Sequence, residues 1–107
     1  MIVVNRFRVE EAEAEGFGAE VQAALDALAA RPGYLDGQVG RNVDDPGLWV
    51  LATRWANVGS YRRALSAYDV KVTAVPLLSR ALDEPSAYEL VGPGQATPNR
   101  AGARELD

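Results

Sequence analysis

Histidine and cysteine are both absent from this chain of 107 residues. Without histidine there is no side chain whose ordinary pKa lies near neutrality. The commonest general base, the Ser-His and Cys-His nucleophile pairs and the usual haem and transition-metal ligand are therefore all missing. The serines Ser60, Ser66, Ser79 and Ser86 lack the partner that would activate one of them. Without cysteine no disulfide framework can form. Long apolar runs are absent too, so no transmembrane helix is expected. Met1 to Val9 alternate like a strand and do not read as a charged segment followed by an apolar block, so no secretory signal is seen and a cytoplasmic location is expected. Basic charge is scarce: 11 Lys and Arg stand against 15 Asp and Glu, giving a net charge of -4. A nucleic-acid partner, which needs a basic surface to displace counterions, is not expected. Gly16 and Gly18 lack the third glycine and the preceding strand of a dinucleotide site, and nothing near Asp44-Asp45 completes a cation loop. The expectation is a protein without cofactor or metal.

What is present reads as one small α+β unit. In Ile2 to Val9 the residues Val3, Asn5, Phe7 and Val9 point one way, and Ile2, Val4, Arg6 and Arg8 the other, as in a first strand. An acidic stretch, Glu10 to Glu15, leads into Phe17, Val21, Ala24, Leu25 and Leu28, whose spacing of three and four makes one apolar helical stripe. Carboxylates suit the positive end of a helix dipole, and Arg31-Pro32-Gly33 ends the helix. Tyr34 to Val43 reads as a glycine-rich second strand with room for a bulge. Asp44-Asp45-Pro46-Gly47 is a turn that leads to an antiparallel third strand, Leu48 to Ala56.

Asn57 or Ser60 can cap a second helix bearing Tyr61, Ala64, Leu65 and Tyr68, and a further stripe runs from Val70 to Leu82, with Pro76 expected to break or kink it. Ser86 to Val91 is expected to be a final strand. The order β-α-β-β-α-β is the ferredoxin-like arrangement, an antiparallel sheet with its helices on one face. Ile2, Val4, Leu35 and Val39 fall on residue sets that cannot all point at the helices, so two sheets pairing face to face as a homodimer would bury the remainder. Residues 1–91 would form the domain. The tail 92–107, rich in Gly and Pro with few large apolar side chains, is expected to be disordered.

Asn5-Arg6-Phe7, Pro32-Gly33-Tyr34, Asp44-Asp45-Pro46, Arg54-Trp55 and Pro76-Leu77-Leu78 occur in this order on this topology, and in this the chain resembles the antibiotic-biosynthesis-monooxygenase family. The resemblance spans residues 2 to 91 and implies a homodimeric α/β barrel with a ligand pocket in each subunit. In haem-degrading members a helix Trp and an axial His are required; Ala64 and Ala74 stand in those places, so haem degradation is not expected. Members that oxygenate flat polyketide phenols without a cofactor are more similar, since Trp55 and Tyr61 match a Trp ending the third strand and a Tyr early in the next helix. An Asn and an Arg of those oxygenases fall here at Leu51 and Val75.

The resemblance thus implies a cofactor-independent monooxygenase acting on an aromatic, polyketide-like or quinol molecule, with Asn5, Trp55 and Tyr61 as site residues. The alternative is a non-catalytic dimeric module that binds a small hydrophobic ligand. Such chemistry needs donors aimed at a phenolate oxygen: an amide from Asn5, an indole N–H from Trp55 and a hydroxyl from Tyr61. Trp49 and Tyr68 read as packing residues. Arg6, Arg8 and Arg54 fit either the pocket or the dimer interface.

Overall fold

In the computed structural model, residues 1–94 are described. Strand β1 (Ile2–Arg8) is followed by a 3₁₀ turn (Glu11–Glu13), helix α1 (Ala14–Ala29), and strands β2 (Tyr34–Arg41) and β3 (Leu48–Trp55). Three short helices come next, α2 (Val58–Ser66), α3 (Tyr68–Thr73) and α4 (Val75–Leu78), and then strand β4 (Ala87–Tyr88). The sheet is antiparallel in the order β2-β3-β1-β4, so the ferredoxin-like expectation holds.

Two-residue periodicity decides which side of the sheet is dry. Val3 and Phe7 of β1 and Trp49, Leu51, Thr53 and Trp55 of β3 are buried, and they pack with Phe17, Val21, Leu25 and Leu28 of α1 and with Val70 and Leu77. The register Ile2↔Arg54, Val4↔Ala52, Arg6↔Val50 and Arg8↔Leu48 places the other residue set on the outer face. Three ion pairs edge that face: Arg6 with Glu84 at 2.7 Å, Arg8 with Asp45 at 2.6 Å and Arg54 with Asp36 at 2.6 Å. The three arginines thus lie on the opposite side of the sheet from Asn5 and Trp55. Each guanidinium holds its carboxylate below the ordinary range, chiefly by hydrogen bonding.

The chain between α1 and β2 turns at Gly33, whose φ of 89° an L side chain rarely adopts. A Cβ there would also collide with the Ser60 side chain, so the turn can dock on α2 only because this residue is glycine. Its carbonyl accepts from Ala56 N at 2.7 Å. Asn57 caps α2, its side chain accepting from Ser60 N at 2.8 Å, as expected for one of the two candidate caps.

Several local expectations are corrected. The bulge for which β2 had room is present between Tyr34 and Asp36, so Tyr34 pairs with Trp55 and Gly37 with Thr53; what changes is that Tyr34 thereby joins Gly37 and Val39 on the helix side, against simple alternation. The expected helix through Tyr68 breaks at Ala67, which is extended (φ -70°, ψ 142°), and Tyr68 ends 78% exposed and not packed. Alanine is the best helix former, so nothing local in the sequence marks this break. The break expected at Pro76 is present: α3 ends at Thr73 and α4 restarts at Val75, with Pro76 in its first turn, where its missing N–H costs nothing. The final strand is two residues long instead of six, because the chain meets β1 earlier through isolated bonds: Leu82 N donates to Arg6 O and Val4 N to Ser86 O. The expectation of a disordered tail falls, from residue 95 onward, outside the described residues.

Candidate active site

Trp55 is the centre of one of two three-ring aromatic runs on the helix side of the sheet. It is 0% exposed, its ring centroid lies 5.4 Å from that of Tyr34 in an edge-on contact, and 5.5 Å from that of Tyr61. Its Nε1–H donates to Thr53 Oγ1 at 2.8 Å. A buried indole N–H must find an acceptor or carry its desolvation cost, and the neighbouring threonine on the same strand face supplies one. The indole N–H expected to face a ligand is therefore engaged inside the chain. What Trp55 presents to its surroundings is a ring that fixes Tyr61.

Tyr61 sits on the first turns of α2, half-buried, and no described hydrogen bond engages its hydroxyl. Burial raises its pKa above the ordinary tyrosine value. The consequence for stability has a definite sign. Above pH of about 10 the unfolded chain loses this proton first while the folded chain keeps it, so stability falls as pH rises through that region and is unaffected below it. A spectrophotometric phenolate titration should show a late-titrating tyrosine that Tyr61→Phe removes; an unchanged titration curve in the variant would contradict it.

Asn5 lies on β1 between Val3 and Phe7, each 1% exposed, and opposite Leu51, also 1% exposed. Unlike these neighbours it is only half-buried, and no described hydrogen bond engages its amide. An amide without a partner is tolerable only where solvent or a ligand can reach it. The helix side of the sheet is thus sealed at Val3 and Phe7 and open at Asn5.

The structure brings Trp55 and Tyr61 into contact. Asn5 stands apart: its partner Leu51 lies four residues before Trp55, roughly 13 Å along the strand at about 3.3 Å per residue. None of the three lines either of two described clefts, one of about 150 Å³ beside Arg6, Asn42 and Val50 and one of about 270 Å³ between Glu20, Val72, Pro76 and Arg80. Ala64 and Ala74 are 1% and 0% exposed, so the positions of the haem-type Trp and His are taken up by close-packed methyl groups. Trp49 packs as expected, edge-on to Phe17 at 5.2 Å with the Arg41 guanidinium 5.2 Å from its ring centroid.

Sequence reasoning missed two contributors. Thr53 was legible as the lone polar residue in the inward set Trp49, Leu51, Thr53 and Trp55 of β3. Tyr34 was hidden by the bulge. No group of three or more carboxylates that could hold a metal ion occurs among the described residues.

An antiparallel four-stranded sheet in the order β2-β3-β1-β4 with its helices packed on one face defines a ferredoxin-like α+β domain. The chain belongs to the antibiotic biosynthesis monooxygenase family, whose model matches residues 1–74. Among solved structures it is similar to SnoaB, a cofactor-independent oxygenase from Streptomyces nogalater (24% identity, 87% of this chain and 95% of that one, TM-score 0.69), and to a variant of the same protein (26% identity, 92% and 96%, TM-score 0.66). It is also similar to a conserved protein from Methanosarcina mazei Go1 (21% identity, 80% and 84%, TM-score 0.66). No match was found among curated proteins.

Proposed function

We propose that this chain is a cofactor-independent monooxygenase acting on a flat aromatic, polyketide-like or quinol molecule, with residues 1–91 as the working unit. The observation that carries this reading is the placement of two unpaired donors, Asn5 and the Tyr61 hydroxyl, on the helix side of the sheet with Trp55 behind one of them. Similarity to SnoaB, itself described as a cofactor-independent oxygenase, supports it. In such chemistry the deprotonated phenol passes one electron to dioxygen, the radical pair recombines to a peroxide, and loss of water leaves the quinone. The protein supplies orientation, dryness and donors for the phenolate oxygen. Asn5 would hold that oxygen, Tyr61 would donate a proton to the peroxide as it breaks, and Trp55 would keep Tyr61 in place.

A homodimer follows from the outer face. Ile2, Val4, Val50 and Ala52 make an apolar strip there between the arginine ion pairs, and a second copy related by twofold symmetry would cover it. No helix among the described residues is long and apolar enough to cross a membrane, which accords with the cytoplasmic location we propose. One observation favours the alternative of a non-catalytic binding module: Leu51, beside Asn5, offers no donor where the similar oxygenases carry an Asn.

The test is oxygen uptake across a panel of anthrones and quinols, with sedimentation of the same sample. Oxygen consumption matched by quinone formation from a dimer is the expected result. Binding without consumption would leave the binding module, and a monomer at micromolar concentration would remove the face-to-face dimer.

A further inference from the structure

Tyr34, Trp55 and Tyr61 form a run of oxidisable rings with centroid separations of 5.4 and 5.5 Å. The run has an inner and an outer end. Tyr61 is half-buried beside the candidate site, Trp55 is sealed at 0% exposure, and Tyr34 is partly exposed at the start of β2, an edge strand of the sheet. The other aromatic run, Trp49 to Phe17 to Phe7, is just as close at 5.2 and 5.1 Å, but it ends in two phenylalanines. Those rings lack an ionisable proton and give up electrons far less readily. The chain has no cysteine and a single methionine, so few other side chains compete as sinks for an oxidising equivalent.

We propose that Tyr61, Trp55 and Tyr34 are a one-electron relay that carries oxidising equivalents from the site between sheet and helices to the protein surface. The biological need for it rests on the oxygenase reading: when superoxide escapes the radical pair, the carbon-centred substrate radical left behind adds a second dioxygen and becomes an organic peroxyl radical. That radical takes a hydrogen atom from the Tyr61 hydroxyl and becomes a hydroperoxide. The Tyr61 phenoxyl then takes an electron from Trp55 and a proton from solvent, which restores the phenol.

The hole on Trp55 does not stop there. Its Nε1–H faces the Thr53 hydroxyl, a poor base, so the first hop is uphill and leaves an indole radical cation that keeps its proton and stays strongly oxidising. It takes an electron from Tyr34, whose hydroxyl releases its proton to water. Burial, together with the fields of Asp36 and Asp26, holds the Tyr34 phenol above the ordinary tyrosine pKa, and the same negative field favours positive charge on that ring. A soluble thiol or enediol finally gives a hydrogen atom to the Tyr34 phenoxyl. The net change is one peroxyl radical reduced to hydroperoxide and one external reductant oxidised by one electron.

The test needs no substrate, so it stands apart from the oxygenase reading. In Trp49→Phe protein, Trp55 is the sole indole, and a laser flash that photoionises it starts the relay directly. The expected result is first-order loss of the indolyl radical signal, independent of protein concentration, with tyrosyl radical growing at the same rate. Adding both Tyr34→Phe and Tyr61→Phe should abolish that growth. In unsubstituted protein, a nitroso spin trap followed by peptide mapping should place the adduct on Tyr34. Adducts confined to the exposed Tyr68 or Tyr88, or an indolyl decay that the paired substitutions leave unchanged, would overturn the relay. Transfer to Tyr34 in a protein that consumes no oxygen with any phenol would support the relay while sinking the oxygenase reading.

Discussion

Replacing Trp55 by alanine is expected to remove about 3–5 kcal/mol of stability, the usual cost of deleting a buried aromatic side chain. The side chain is 0% exposed and carries the Thr53 hydrogen bond as well as ring contacts to Tyr34 and Tyr61. A domain of this size has only about 5–15 kcal/mol in total, so the variant sits at the edge of folding. Its melting temperature should fall by roughly 4–8 °C per kcal/mol lost. The double variant Trp55→Phe with Thr53→Val separates the terms, because it removes the indole N–H and its acceptor together and leaves no orphaned donor. Thermal and urea melts decide it. A loss below about 1 kcal/mol for Trp55→Ala would mean the cavity collapses freely and that Trp55 does not organise this part of the core.

The frame was readable because its cause is local. Alternation in Ile2–Arg8 and Leu48–Trp55 states which side chains face the helices, and the three-and-four spacing from Phe17 to Leu28 states which face of α1 meets them. Where the sequence misled, a tertiary contact had overridden the local rule. The β2 bulge turns Tyr34 inward, a change that two-residue periodicity cannot anticipate because a single extra residue reverses every face before it. The break at Ala67 leaves no mark in helix propensity, and it moves Tyr68 from the core to the surface.

For the candidate site the same division holds. Asn5 was legible as a polar residue in an apolar inward set, and Trp55 with Tyr61 through the family resemblance. The use of the Trp55 N–H was not legible. Whether an indole donates to a ligand or to its own strand depends on a rotamer, so Thr53, legible as an inward polar residue, is seen to take the Trp55 N–H only once the side chains are placed. That shifts the division of labour in the proposed site: the donors left for a ligand would be the Asn5 amide and the Tyr61 hydroxyl, and Trp55 would act through Tyr61.

Asn5→Ala and Tyr61→Phe should therefore each lower turnover of an anthrone or quinol on the order of 10²-fold while leaving the fold intact, since losing one donor to a developing oxyanion costs about 3 kcal/mol. Neither side chain has a described hydrogen bond to lose, so neither substitution orphans a partner among the described residues. Tyr61→Phe also keeps the ring that packs on Trp55 at 5.5 Å. Melting temperatures close to the parent are the expected control, in contrast to Trp55→Ala. The two substitutions should differ in kind. Removing the amide that holds the phenolate should raise the pH at which activity appears, because the substrate then ionises less readily in the site. Removing the Tyr61 proton should leave that pH midpoint alone and lower the plateau. Oxygen uptake measured across pH for the parent and both variants reads these differences. Variants that bind less but whose parent never consumes oxygen would identify a binding module. Equal and small effects on rate, accompanied by lowered melting temperatures, would assign both residues to packing and remove them from the chemistry.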